Sequence, residues 1–332
     1  MSDPNQEFQP PPPPPIQTEP ARQRATWLMW AGIGLFVIGV VVFGLGLLRV
    51  LPGMGGTGAG VCALGILFFA FSFMRLPAIA DAPEKMSAPA TLVGMFFEPT
   101  RVFRNLRAHP QWLAAILLVG IINAAYTTAF YRRLGPERIV NFTYDAIAEG
   151  PIKPPPEQMA ESRQADLDKE SSMTGKIGKA IGNVVKEFFG VAFLAAICLL
   201  GVLAFGGRMH YWQAYAVIAY VGVPIAIIQK LVSFIVLYLK APEDIHPLLG
   251  QESLVYDNLG LLVSSKEHPV IFSFLATFGV IIAYRVWLTA TGLREGGYKV
   301  SSTAAWGVTI TLLVLFMLFR LGAAAIFPSF LG

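Results

Sequence analysis

Residues 214–239 read AYAVIAYVGVPIAIIQKLVSFIVLYL, a run whose one charged residue is Lys230. At about 1.5 Å of rise per helical residue, the run is long enough to cross ~30 Å of hydrocarbon. Comparable stretches lie on either side, at about Trp27–Leu48, Gly58–Met74, Trp112–Tyr131, Val184–Phe205, Val270–Ala290 and Thr303–Ile326, which makes seven in all. Lipid offers a backbone amide no partner, so each stretch is expected to be a helix that closes its own hydrogen bonds. Glu187, at the mouth of the fourth stretch, is assigned to the polar segment 132–187 before it. The stretches are otherwise free of Asp, Glu and His. The expected fold is all-α, a polytopic transmembrane helical bundle of about seven spans.

Composition agrees. Of 332 residues, 55% are hydrophobic and only 14% are charged, where soluble domains carry nearer a quarter. The net charge of +4 is small and spread along the chain. With no helix-turn-helix, RNA-binding or zinc pattern, no nucleic-acid partner is expected. Cys62 and Cys198 both fall within apolar stretches, where a free thiol packs as a small hydrophobe. Neither HExxH, GxSxG, a P-loop nor paired intramembrane aspartates occur, so no enzyme, cofactor or metal is expected.

The polar segments give the organisation. Residues 1–24, with the run Pro10–Pro15, read as a disordered cytoplasmic tail. Residues 25–76 read as a two-span hairpin joined by LPGMGGTGAG, in which Gly56 and Gly60 form either a small-xxx-small pair or part of a plain turn. Segment 132–187 holds nine basic and nine acidic residues. Within it EQMAESRQADLDKES reads as a solvated helix, and a second helix runs into the fourth span. The connection 240–269, with His246, His268 and several carboxylates, reads as an ordinary solvated loop with no metal-ligand spacing.

Two groups of residues stand out. In FFEPTRVFRNLRAHPQW, Val102, Phe103 and Leu106 share one helical arc while Arg101, Arg104 and Arg107 lie largely opposite. Such a basic amphipathic helix suits the headgroup plane; the alternative is a helix packed on the protein's own base. Lys230 is the second lead, because a cation so deep costs about 2–3 kcal/mol on insertion scales and must face protein or water. Gln229, Asn123 and Tyr126 are its expected polar neighbours. With no carboxylate nearby, the cluster reads as a site for an anion or lipid phosphate, as a structural tie between helices, or as a partly snorkelled side chain. Arg285 and Arg320, near span ends, are expected to snorkel to the headgroups.

The same FFEPTRVFRNLRAHPQW segment, followed by GGRMHYWQAYAVIAYVGVPIAI and TGLREGGYKVSSTAAWGV, resembles the Yip (Ypt-interacting protein) domain over residues 94–322. The resemblance implies a five-span domain, here 94–326, with a cytosolic N-terminus and a C-terminus on the far side. Related sequences often carry an Asp before Phe at the start of the sixth span, where this chain has Ala276-Thr277-Phe278. Positive-inside counting also favours a cytoplasmic N-terminus, since Lys85, Arg101, Arg104, Arg107, Arg208, Arg294 and Lys299 then face inward. The bacterial-type arrangement points to the inner membrane. The expected role is non-enzymatic: organising a membrane assembly, as a homo- or hetero-oligomer in contact with the bilayer and its anionic lipids. The alternative is a transporter, channel or lipid-handling protein built on the Lys230 cluster.

Overall fold

Serine and proline mark where the helices begin. In the computed structural model, which describes residues 26–75, 82–151, 153–255 and 257–331, thirteen α-helices follow one another. They are α1 (Thr26–Leu47), α2 (Gly55–Ser72), α3 (Ala88–Phe97), α4 (Pro99–Ala108), α5 (Leu113–Leu134), α6 (Pro136–Glu149) and α7 (Pro156–Ser171). Then come α8 (Met173–Ala204), α9 (Tyr211–Leu239), α10 (Leu249–Glu252), α11 (Pro269–Leu275), α12 (Val280–Gly296) and α13 (Ser302–Ile326). Proline opens α4, α6, α7 and α11, where its missing N–H costs nothing. Ser172 and Ser301 cap α8 and α13 by accepting from the Gly175 and Ala304 amides at 3.0 and 3.1 Å. The proline-rich tail, residues 1–24, lies outside the described residues.

Six helices, α1, α2, α5, α8, α9 and α13, are long and apolar enough to cross a membrane. The stretch expected as a single sixth span is instead two helices, α11 and α12, separated by residues 276–279. The crossing still occurs. Arg208 N–H bonds the Lys299 carbonyl at 2.8 Å, and Arg104 pairs with Glu295 at 2.7 Å. The α8–α9 and α12–α13 connections and α4 therefore share one face. On the other face Thr174 Oγ1 donates to Pro52 O at 2.9 Å, and Ser329 Oγ donates to Ala146 O at 2.8 Å. The α1–α2 turn, α6, the start of α8 and the C-terminal end meet there. The chain thus alternates between faces seven times, once through a broken helix.

Helix α9 is the axis of the bundle. Every residue from Trp212 to Val221 is buried, the pattern of a helix surrounded on all sides. It touches α3, α4, α5, α8 and α12. Trp112 and Trp212 stack at 5.7 Å with rings 7° apart, and Phe71 and Phe188 close the cluster from α2 and α8. Helix α4 belongs to the same core. Val102, Phe103 and Leu106 are fully buried, and Phe103 lies against Gly292 of α12. Its apolar arc is therefore packed on the protein's own base rather than on lipid, which corrects the headgroup-plane reading. Arg101 and Arg104 do point outward, where Arg101 pairs with Glu98 at 3.0 Å.

The close approach of α1 and α2 is set by glycines other than the expected pair. Gly56 has open space around it, and Gly60 meets only Val185 of α8. The contact runs through Gly32, Gly39 and Gly46 of α1, spaced by seven, and Gly58 and Gly65 of α2. A side-chain carbon at Gly39 would fall 2.4 Å from the Cys62 nitrogen, and one at Gly58 would fall 2.3 Å from the Phe43 nitrogen. The two backbones are in contact, which replaces the absent hydrophobic drive between helices in lipid with van der Waals packing. Gly39→Leu should therefore lower stability in detergent by about 1–3 kcal/mol. Gly34→Leu, on the open side of the same helix, should leave the thermal midpoint unchanged.

Candidate functional site

Connection 240–269 decides the site. It is not a solvated loop: Ile245 and Leu254 are buried, and both pack with Tyr126, Phe130 and Leu237 in a second apolar cluster. Lys230 and Lys240 are ten residues apart, about 15 Å of helix, yet Lys230 Nζ donates to the carbonyls of Gln251 and Glu252. The chain has folded back alongside α9 to the depth of Lys230. Tyr126 Oη donates to Gly250 O at 2.7 Å, and Ser233 Oγ accepts from the Leu254 amide at 3.0 Å. Lys230 Nζ also lies 4.2 Å from the Tyr126 ring centre, a cation–π contact strengthened by desolvation. At the surface, Arg138 of α6 donates to the carbonyls of Pro242, Glu243 and Ile245.

The break between α11 and α12 is tied to this same segment. Asp257 Oδ2 accepts from the Ile281 amide at 2.6 Å, and Leu259 N–H donates to Phe278 O at 3.1 Å. A carboxylate at the start of α12 satisfies an amide the helix itself cannot and favours the positive end of its dipole. A carboxylate thus reaches the head of α12 from the loop.

Between α5, α8, α9, α12 and the folded-back segment lies an open cavity of about 430 Å³. Asn123, Gln229 and Lys230 line it, as the sequence reading grouped them; Tyr126 lies under the Lys230 ammonium rather than in the wall. Three charged residues join them that the sequence reading placed elsewhere: Glu187, Glu252 and Arg285. Glu187 is not in a loop but fourteen residues into continuous α8, about 21 Å from its start, and Asn123 Nδ2 donates to it at 3.4 Å. Arg285, exposed on α12, faces the cavity within electrostatic range of Glu187 and Glu252. Arg320, the other residue expected to snorkel, lines a separate cavity of about 420 Å³ between α11 and α13.

The charge at this depth is therefore balanced, two cations against two carboxylates, and the expectation of a cation without carboxylates is overturned. Among the described residues, none of these four forms an ion pair within 4.0 Å. The remaining wall is apolar, with Val119, Leu194, Ile218 and Ile225. A signal for Glu187 was present in the sequence: the helical periodicity from Ile177 onward carries it past the membrane boundary. No comparable signal marks Arg285, because its depth depends on where α12 begins.

No group of three or more potential metal ligands occurs among the described residues. His246 instead serves the loop. Its Nδ1 accepts from the Leu248 and Leu249 amides, both at 3.1 Å, which leaves the ring proton on Nε2. Burial, and secondarily the Arg138 cation, hold its pKa below the usual 6.5. The folded state keeps this imidazole neutral while the unfolded chain takes up a proton as pH falls through 6.5. The stabilisation is thus present above that value and is lost as pH falls from it toward the folded pKa. Amide protection of residues 246–254, corrected for intrinsic exchange, should fall over that interval. Lys230→Leu should lower the same protection at every pH by about 1–3 kcal/mol, the cost of orphaning buried carbonyls.

The chain matches no curated protein and no solved structure. A family model described as the Yip1 domain matches residues 93–324, from the middle of α3 to near the end of α13, within two residues of the resemblance at each end. That match takes in Trp112, Phe188 and Trp212 of the aromatic core, the folded-back segment, the broken sixth crossing and every charged residue of the cavity, and the chain belongs to the Yip1 domain family of integral membrane proteins.

Proposed function

We propose that the protein is a non-enzymatic lipid-handling membrane protein whose cavity takes a headgroup carrying both an anionic and a cationic centre, as in a zwitterionic phospholipid. The observation that carries this reading is the cavity itself. A scaffold acts through its outer surfaces and has no need of a polar, charge-balanced space inside a membrane bundle. Separated charges among membrane helices are expensive unless they are paired or hydrated, and a ligand of both signs answers the exposed Arg285 and the half-buried Glu187 together. Guanidinium is suited to bidentate contact with phosphate, and the Glu187 carboxylate with the Asn123 and Gln229 amides suits an ammonium. The volume lies in the range of small-ligand sites, and the apolar wall fits the glycerol and acyl carbons that follow a headgroup.

On this reading the protein sits in a bacterial inner membrane with α4 and its basic face toward the cytoplasm. The short segments on the α4 side, which carry Lys85, Arg101, Arg104, Arg107, Arg208, Arg294 and Lys299, support that orientation, and the long segment 132–187 with its nine basic residues weighs less in the rule.

The test is purification from native membranes in mild detergent, with mass spectrometry of lipid, polar solute and protein. Wild type should retain about one zwitterionic phospholipid per chain. Glu187→Gln and Arg285→Gln should each lower retention by about tenfold or more, the loss of one charge-assisted hydrogen bond. Retention of a water-soluble zwitterion in place of lipid would name a transported solute. A stoichiometric protein partner with equal lipid content in all three proteins would return the assembly-organising role.

A further inference from the structure

On α8, Lys176, Lys179, Asn183 and Glu187 follow one another at intervals of three and four residues, so they lie on one face of the helix. The two ends of this stripe line two different cavities. Glu187 belongs to the cavity described above, with Asn123 of α5. Lys176 and Lys179 belong to a second one of about 360 Å³, with Thr128, Tyr131 and Arg132 at the far end of α5. The cavities are close. Glu187 and Lys179 are eight residues apart, about 12 Å of helix, and Asn123 and Thr128 are five apart, about 8 Å.

Asn183 stands midway along the stripe. Its side-chain nitrogen is buried and has no hydrogen-bond partner among the described residues. An orphaned amide of this kind costs about 1–3 kcal/mol, a cost removed when water or a ligand oxygen occupies the space beside it. We infer that the two cavities are the ends of one polar track along the α5–α8 interface, with Asn183 as the donor between them. The track leads phosphate-bearing headgroups from the membrane surface beside α6 and α7 to Glu187 and Arg285.

The mouth has the chemistry this requires. Arg132 and Lys176 are exposed there. Lys179 is held in place by Glu170 at 2.5 Å and by the Tyr131 ring, 3.2 Å below its ammonium. Three cations against one carboxylate attract phosphate, while the balanced interior beyond holds both ends of a zwitterion. The identity of the traveller rests on the function proposed above, but the existence of the track does not.

The test is cysteine accessibility in nanodiscs, using a charged methanethiosulfonate reagent and a background lacking Cys62. Native Cys198, fully buried in α8, is the internal unreactive reference. Asn183→Cys should react within about tenfold of Thr128→Cys at the mouth, and more than about a hundredfold faster than Cys198, whose reaction needs local unfolding. A cysteine at 183 as slow as Cys198, with Thr128→Cys reactive, overturns the track. Should Asn183→Cys fail to fold, Glu187→Cys serves: it should label readily beside Asn183 and at least about tenfold more slowly beside Asn183→Leu. Equal rates overturn the proposal. Open labelling without retained lipid sinks the ligand reading alone, and retained lipid with a closed track sinks this inference alone.

Discussion

A backbone amide in hydrocarbon without a partner costs several kcal/mol, and each departure from helix inside this bundle is answered by a side chain. Where the chain folds back beside α9, Tyr126, Lys230 and Ser233 take up the backbone groups of residues 250–254. Where the sixth crossing breaks, Asp257 takes the Ile281 amide. These are side chains that a simple helical span has no use for. Lys230 in particular is a tether first: its ammonium has two carbonyls and an aromatic face, and such a site explains how a cation is retained at that depth.

The folded-back segment has a chemical consequence. By filling the space beside α9 with backbone instead of apolar side chain, it brings Glu252 to the cavity wall and keeps α5 and α12 from closing on one another. Arg285 then faces Glu187 and Glu252 without touching either at ion-pair distance. A dry bundle would collapse those charges into contact or exclude them. An open, balanced arrangement is stable when water or a polar ligand stands between the groups. The cavity is thus tied to the loop, the loop to Lys230, and Lys230 to its position on the most buried helix.

The elements outside the cavity obey a different rule. Helices α1 and α2 join through glycine backbones, and α4 wedges its apolar arc between α9 and α12 while its arginines stay outside. Both are packing solutions. Hydrocarbon supplies no hydrophobic drive between spans, so contact area and shape have to hold them. Neither element contributes a side chain to the cavity, and the chemistry is confined to α5, α8, α9, α12 and the segment 249–254.

Length and apolar content alone determined the helical class, the six uninterrupted spans and the depth of Lys230, because the bilayer has a fixed thickness and a helix a fixed rise. Polar, charged composition placed α7, and the periodicity from Ile177 carried α8 out of the membrane. The amphipathic arc of α4 was equally legible, but whether lipid or protein would cover it was not, since either buries the same side chains. The positions of Glu252 and Arg285 were decided only in three dimensions. Each depends on a helix boundary or a chain reversal fixed by hydrogen bonds between residues twenty or more apart, such as Ile281 to Asp257 and Lys230 to Glu252. Hydropathy records how deep a residue can go, and tertiary hydrogen bonding decided which charges meet there.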